Sequence, residues 1–263
     1  MEIFIYLLIF IMGTFFGSFF TLAVYRIPLG QDILYTHSYC PKCKNKLNTF
    51  DLFPVFSYIF LKGKCRYCDN KIRIRYLLLE VLSGLVYLVY AISFKFDFYY
   101  FNICKIINFV FGILYFVSLF IIAGIDKENK NIQNSLLIYS LVISVGYIIY
   151  VCTHSISSVY SYGIYLFIML ISIIINSILV HKYKKQNYII QLVALASYMI
   201  IFSGILGIVV TLSIWILITA IIYLIKTFSK KKKEKIPFGF YLCIINIVFM
   251  IFINFIQYYI LIK

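Results

Sequence analysis

The sequence predicts an all-α polytopic membrane protein with about eight transmembrane helices and a cytoplasmic loop that holds four cysteines. Hydrophobic residues make up 63% of the 263 residues, charged residues make up 13%, and the mean hydropathy is +0.99. A soluble globular domain has an apolar share nearer one half. Because the apolar residues are grouped in runs that can cross ~30 Å of hydrocarbon, the composition excludes a soluble protein.

Eight apolar runs alternate with polar segments. The first, Ile3–Tyr25, follows Met1-Glu2 and lacks both a basic start and a small-residue cleavage site, so we expect a retained helix and not a signal peptide. The sixth and seventh runs are joined only by Ser203-Gly204, which predicts a tight turn between two helices. The later runs cover residues 76–94, 106–125, 135–151, 159–180, 188–202, 205–225 and 240–262.

The distribution of basic residues predicts the orientation of the chain. If the amino terminus lies outside, the loops on the cytoplasmic side contain 21 of the 24 Lys and Arg residues, as the positive-inside rule requires. The loop at residues 26–75 then lies in the cytoplasm. The same distribution explains the net charge of +15 without a nucleic-acid partner, because basic clusters beside apolar runs favour contact with anionic membrane lipids.

The four cysteines of this loop form two Cys-x-x-Cys pairs. Cys40 and Cys43 are followed, after 21 residues, by Cys65 and Cys68. Two such pairs can supply the four thiolates of a closed tetrahedral zinc site, which leaves no open position for catalysis. We therefore expect a structural zinc ion. The alternative is two local disulfides, which would need an oxidising compartment.

Short motifs around the cysteine pairs occur in a distinctive order. In the order of the chain they are Gly17-Ser18-Phe19, Arg26-Ile27-Pro28, Asp51-Leu52-Phe53-Pro54, Arg75-Tyr76 and Glu80. Their order and spacing over about residues 17–84 closely resemble the amino-terminal domain of prepilin peptidases. The segment Ile236-Pro237-Phe238-Gly239 also resembles the segment that precedes the last helix of that family.

The resemblance implies both an activity and a domain organisation. Prepilin peptidases are membrane aspartic peptidases that remove the leader of type IV pilin-like precursors on the cytoplasmic side and then methylate the new amino terminus from S-adenosylmethionine. They serve type IV pilus and type II secretion systems, which implies the cytoplasmic membrane of a prokaryote. The chain is then expected to comprise a first transmembrane helix at residues 1–25, a cytoplasmic zinc-binding domain at 26–75 and a seven-helix membrane domain at 76–263.

The resemblance also implies two catalytic aspartates, of which this sequence supplies one. Asp126 follows the third apolar run, where the first aspartate is expected, but the Ile-Pro-Asp expected after it reads Ile132-Gln133-Asn134. Ile189 occupies the position of the second aspartate, and no acidic residue falls between residues 129 and 233. An aspartic peptidase needs one carboxylate to take a proton from water and a protonated partner to donate a hydrogen bond to the scissile carbonyl. The sequence therefore predicts an incomplete dyad.

Two other acids are candidate replacements for the missing carboxylate. Glu80 lies about one turn inside the second helix, where pairing with Arg75 or a role in methyl transfer competes with a dyad role. Glu234 lies in a lysine run before Pro237. Two functional hypotheses follow: an enzyme that processes pilin-like precursors, and an inactive relative that binds precursors or a partner peptidase. An unrelated membrane protein with a zinc knuckle would require these motifs to recur by chance.

Overall fold

The computed structural model shows a helical protein. The residues it describes are 2–33, 35–94, 103–154, 159–183, 187–228 and 236–261. Within these ranges the extended structure is limited to two isolated β-bridges, both in the cysteine-containing loop. The α-helices are α1 (Glu2–Arg26), α2 (Phe56–Phe60), α3 (Arg75–Phe94), α4 (Ile103–Asn129), α5 (Asn134–His154), α6 (Val159–Tyr183), α7 (Tyr188–Phe228) and α8 (Phe238–Leu261).

Eight helical segments among the described residues are long and apolar enough to cross a membrane, which confirms the predicted number. The five-residue α2 is too short to cross, whereas α7 contains two such segments. The third span differs from its prediction, because α4 continues from Ile125 to Asn129. It ends where Lys130 adopts a positive φ of 52° and donates its N–H to the carbonyl of Asp126. Asp126 thus lies inside the last turn of α4.

A single non-helical residue, Gly204, divides α7 into two halves. Its φ of 71° and ψ of 173° are accessible to glycine and strained for other residues. Tyr188, at the start of the first half, accepts the N–H of Gly239, and Trp215, in the second half, donates to the carbonyl of Phe238, so both contact the first two residues of α8. A continuous helix would separate these two side chains by about 40 Å. The two halves therefore run antiparallel, which confirms the turn predicted at Ser203-Gly204.

The chain divides into two compact units, Met1–Lys105 and Ile106–Lys263. The first unit contains α1, the cysteine-containing loop with α2, and α3. The second unit contains nearly all of α4 and the helices α5 to α8. The functional division predicted at residues 25 and 75 stays a prediction.

Small residues allow α1 and α3 to pack closely in the first unit. A Cβ atom on Gly17 would lie 2.1 Å from the Ser83 hydroxyl and 2.7 Å from the Cα of Glu80. The Ser83 hydroxyl donates a hydrogen bond to the carbonyl of Gly13, one turn earlier on α1, at 2.8 Å. Glycines spaced four apart commonly bring two membrane helices into backbone contact. The Gly17-Ser18-Phe19 motif therefore places the turn of α1 around residue 17 directly against Glu80.

The second unit is built around aromatic rings and buried hydrogen bonds. Tyr115 of α4 donates to the side-chain oxygen of Asn246 of α8 at 2.5 Å. Its ring stacks on Phe202 of α7 with 4.4 Å between the ring centroids. The hydroxyls of Ser118 and Tyr198 lie 2.9 Å apart, and both side chains are fully buried. These contacts join the middle of α4 to α7 and α8.

We expect Gly17→Ala to destabilise the first unit by about 1–3 kcal/mol, because the added methyl group has no space between α1 and α3. The measurement is the fraction of protein that stays monodisperse in detergent after heating. Gly163→Ala is the matched control, since a Cβ there meets no atom within 4 Å. Equal stability of the two variants would contradict the close packing.

Candidate functional site

The structure brings the four predicted metal ligands together. The sulfur atoms of Cys40, Cys43, Cys65 and Cys68 all lie within 4.8 Å of one another. Cys40 and Cys68 belong to different pairs, and their sulfurs are 3.9 Å apart. A zinc–sulfur bond of about 2.3 Å places the sulfurs of an ideal tetrahedron about 3.8 Å apart. The four cysteines can therefore hold a metal ion, and the arrangement does not match two separate local disulfides.

The two cysteine pairs are built by similar turns. The N–H of Cys40 donates to the carbonyl of Asn45, and the N–H of Cys65 donates to the carbonyl of Asn70. Burial opposes thiolate formation at Cys40, but the N–H groups of Cys43 and Lys42 and the neighbouring thiols outweigh it and lower the pKa of Cys40 to about 7. A thiolate is the form that binds metal, so this cysteine can ionise near neutral pH.

Arg26 organises the chain between α1 and the first cysteine pair. Its side chain is buried, and its guanidinium donates to the carbonyls of Asp32, Thr36 and His37 at 2.9 to 3.0 Å. The planar guanidinium offers several donors in a fixed geometry, which a lysine could not reproduce. The arginine of the Arg-Ile-Pro motif therefore fixes the backbone between α1 and the first cysteine pair.

Asp51 connects the segment between the cysteine pairs to the second pair. Its carboxylate accepts hydrogen bonds from Arg66 at 2.8 Å and from the Tyr67 hydroxyl at 3.2 Å. It also accepts from the N–H of Asn48, which caps the 3-10 turn Thr49–Leu52. Arg66 and Tyr67 are the two residues between Cys65 and Cys68. The aspartate of the Asp-Leu-Phe-Pro motif thus braces the second turn from outside the cysteine cluster.

Glu80 of α3 also holds the segment between the two cysteine pairs. Its carboxylate accepts the N–H of Val55 at 2.8 Å, and the Ser18 side chain also hydrogen-bonds it. Val55 has a positive φ of 64°, a conformation that β-branched residues rarely adopt. The backbone reversal directs its N–H toward α3, where Glu80 supplies the acceptor. The structure therefore gives Glu80 a positioning role within the first unit.

A cavity of about 270 Å³ lies beside Glu80 in the first unit. Its polar lining includes Ser18 and Glu80, and its aromatic lining includes Tyr25, Tyr58 and Tyr76. A carboxylate beside aromatic rings is suited to a cationic group, such as an amine or a sulfonium. The cavity is therefore the candidate ligand site of the first unit.

Asp126 is the centre of the candidate site of the second unit. It is 0% exposed. The Tyr188 hydroxyl donates to Oδ1 at 2.8 Å, and the N–H of Phe240 donates to Oδ2 at 2.9 Å. The N–H of Gly239 in turn donates to the Tyr188 hydroxyl at 2.9 Å. Both carboxylate oxygens are therefore engaged, and the carboxylate lies at the start of α8, where a helix favours an anion.

The Ile-Pro-Phe-Gly motif explains how α8 approaches this carboxylate. Pro237 precedes the first residue of α8, a position where proline stabilises a helix start. A Cβ atom on Gly239 would lie 3.2 Å from Oδ2 of Asp126, which is a tight contact. Glycine at this position leaves room for the carboxylate beside the first turn of α8.

The segment after α4 is held by side-chain amides. Gln191 accepts the N–H of Ile132 at 3.2 Å, and Asn176 donates to the side-chain oxygen of Asn134. Asn176 also accepts the N–H of Asn187 at 3.1 Å. Asn134, the residue found where the motif of the prepilin peptidases has its aspartate, therefore acts as a hydrogen-bonding residue that joins α5 to α6.

Comparisons with known proteins agree with these two sites to different extents. The model of the Bacterial Peptidase A24 N-terminal domain matches residues 11–94. The prepilin leader peptidase/N-methyltransferase of Vibrio cholerae is 33% identical over 142 residues, which cover 51% of this chain and 53% of that protein. Residues 11–94 of the chain are thus similar to the amino-terminal domain of the prepilin peptidases. The protein of the same name in Bacillus subtilis is 32% identical over 135 residues, covering 51% of this chain and 50% of that protein.

The match to the family model lies in the amino-terminal part of the chain. The chain spans about half the length of these curated relatives. No solved structure matches the chain. The matched domain coincides closely with the first unit of the structure, which contains the cysteine cluster, Glu80 and the cavity.

The second unit departs from the two-aspartate site of the prepilin peptidase family. Ile189, at the expected position of the second aspartate, is 71% exposed. The preceding residue, Tyr188, contacts Asp126 instead. Glu234, one of the two candidate replacements, lies outside the described residues. The other candidate, Glu80, belongs to the first unit, where Val55 and Ser18 hydrogen-bond it.

Tyr188 is the functional residue that the sequence analysis missed. The two-aspartate pattern of the family points to acids, and one tyrosine among 25 gives no local signal. Two features of the sequence could have pointed to Tyr188: it lies at a polar helix start, and the Pro237-Phe238-Gly239 segment of the family is present. In the structure both segments meet at the buried Asp126.

We expect Tyr188→Phe to destabilise the second unit by about 1–3 kcal/mol, because it leaves one buried oxygen of Asp126 without its donor. Heat-induced aggregation in detergent measures the change. Tyr241→Phe, a hydroxyl deletion two residues after Gly239, is the control and should have little effect. If both variants behave like the parent chain, the Tyr188 hydroxyl does not stabilise the site.

Proposed function

We propose that this chain acts on type IV pilin-like precursors at the cytoplasmic face of a bacterial cytoplasmic membrane, without removing their leader by a two-aspartate mechanism. The absence of a two-aspartate mechanism is inferred from Asp126, which is fully buried and accepts hydrogen bonds through both oxygens, from Tyr188 and Phe240. The names of the relatives support the precursor as substrate class.

A general base must reach the water that it deprotonates. Tyr188 and the start of α8 occupy the positions from which water would contact the Asp126 carboxylate. A phenol also differs from a second aspartate, because it can donate a hydrogen bond but does not exchange a proton readily with a neighbouring carboxylate at neutral pH. The pair is therefore better suited to holding α8 against α4 than to hydrolysing a peptide.

We infer that the first unit retains two other activities of the prepilin peptidases, which are recognition of the precursor and methylation of its amino terminus. S-adenosylmethionine would supply the methyl group. The cavity beside Glu80 has the carboxylate and aromatic lining that a sulfonium or an amine favours. In this proposal Glu80 and Ser18 orient the amine, and Tyr25, Tyr58 and Tyr76 exclude water.

The cysteine cluster is proposed to hold a structural zinc ion on the cytoplasmic side. Four thiolates close the coordination shell, so the ion would stabilise the loop and take no part in catalysis. Such a site contributes on the order of 10 kcal/mol to folding. The cytoplasmic orientation is supported by the 21 of 24 basic residues that it places on that side, where thiols stay reduced.

We expect Cys43→Ser or Cys68→Ser to remove most of the zinc from protein purified without chelators, because three thiolates and a hydroxyl hold zinc poorly. Elemental analysis gives the metal content per chain. Cys152→Ser, which lies outside the cluster, is the control and should keep the parent's zinc content. A parent chain without zinc would refute this assignment.

The function itself is tested by expressing a pilin-like precursor with this chain in cells that lack another prepilin peptidase. Mass spectrometry of the precursor's amino terminus should show an intact leader, whether the chain is the parent, Asp126→Ala or Tyr188→Phe. When an active relative supplies cleavage but no methylation, we expect methylated precursor with the parent chain and less of it with Glu80→Gln.

A second function is favoured by the direct hydrogen bond of 2.8 Å from the Tyr188 hydroxyl to Asp126. In this alternative the tyrosine takes the place of the hydrogen-bond donor of the dyad, and Asp126 becomes the base when substrate displaces α8. Leader removal by the parent chain, lost in Asp126→Ala and reduced in Tyr188→Phe, would establish this alternative and contradict the proposal above.

A further inference from the structure

The segment between the two cysteine pairs carries an aromatic edge, defined here as Phe50, Phe53, Phe56, Ile59 and Phe60. All five side chains are exposed, and those of Phe50 and Phe60 are exposed to 76% and 80%. Polar loops rarely expose a contiguous apolar surface unless it meets a membrane or another molecule. This edge lies outside every helix that is long enough to cross the membrane.

Two contacts place the same segment beside membrane-spanning parts of the first unit. The Phe53 ring packs edge-on against Phe15 of α1, with 5.3 Å between ring centroids. The N–H of Val55 donates to Glu80 of α3. Phe15 lies eleven positions before Arg26, and Glu80 lies five positions after Arg75, which correspond to about 16 Å and about 8 Å of helix. Both contacts therefore lie inside apolar spans.

The short helix α2 has two different sides. Phe56, Ile59 and Phe60 are exposed on one side. Ser57 and Tyr58 line the cavity on the other. Non-helical backbone at membrane depth is tolerated where it is buried in protein or borders a polar cavity that satisfies its hydrogen-bonding groups. The carboxylate of Glu80 supplies such a partner to the strained Val55 N–H.

We propose that residues 49–60 form a re-entrant segment that enters the membrane from the side of the cysteine loop, with its aromatic edge against lipid acyl chains. The edge contacts Phe15, which, like Phe19, is an exposed side chain of α1 that a bilayer would cover. The exposed Lys62 and Lys64 follow at once and fit the anionic headgroup region. The other side of the segment walls off the cavity from lipid.

The test introduces one tryptophan into the full-length protein and measures quenching in liposomes. Phe60→Trp probes the aromatic edge, and Tyr35→Trp is the matched control, because Tyr35 is 87% exposed and lies before the first cysteine pair. The signal of the parent chain, which has a single tryptophan, is subtracted. The liposomes contain phosphatidylcholine and phosphatidylglycerol, with bromine atoms on the acyl chains in one set.

The tryptophan at position 60 is expected to lose emission to brominated acyl chains and to resist aqueous iodide. The tryptophan at position 35 is expected to show the opposite pattern. Quenching of position 60 by iodide alone would overturn the proposal. Quenching by neither agent would also overturn it, since a protein and not lipid would then cover the edge. Phe56→Trp repeats the measurement, and metal content equal to the parent's identifies the variants that have folded.

Discussion

A carboxylate buried at the end of a membrane helix must be matched by hydrogen-bond donors, and the donors that match Asp126 determine what the second unit can do. Tyr188 and the N–H of Phe240 bring the start of α7 and the start of α8 to the end of α4. Since an unmatched charge or polar group there would be costly, these three helix ends are held together. The same contacts bury the carboxylate completely, away from the water that a general base must reach.

In the first unit, hydrogen bonds from polar side chains hold the conformation of the cysteine-containing loop. Arg26, Asp51 and Glu80 each hold irregular backbone or a turn around the cysteine cluster. None of the three would be needed to bind a metal ion, since the four sulfurs alone can complete a tetrahedral shell. Their motifs therefore keep a short loop in one conformation that its small apolar content could not maintain. This explains why the motifs accompany the cysteine pairs in sequence.

The fold was predictable where it depends on apolar length, and the site was predictable where it depends on spacing. The eight spans and the turn at Gly204 follow from runs of apolar residues and from a glycine at their junction. The convergence of the four cysteines follows from two Cys-x-x-Cys turns. In contrast, α4 continues four residues past the apolar run 106–125, because charged residues such as Lys127 and Glu128 extend a helix readily past the membrane surface.

The contacts of Glu80 and Asp126 could not be predicted, because they depend on hydrogen-bond partners far away in sequence. Glu80 receives the N–H of Val55, a residue whose positive φ no local pattern indicates. Asp126 receives a hydroxyl from a residue 62 positions later, and the position expected from the family was one residue away. A shift of one residue at a helix start rotates a side chain by about 100°. That rotation directs Ile189 outward and Tyr188 toward the carboxylate. The position of α7 that faces Asp126 is therefore occupied by a tyrosine, which forms a hydrogen bond with the carboxylate where a second aspartate would form a two-carboxylate site.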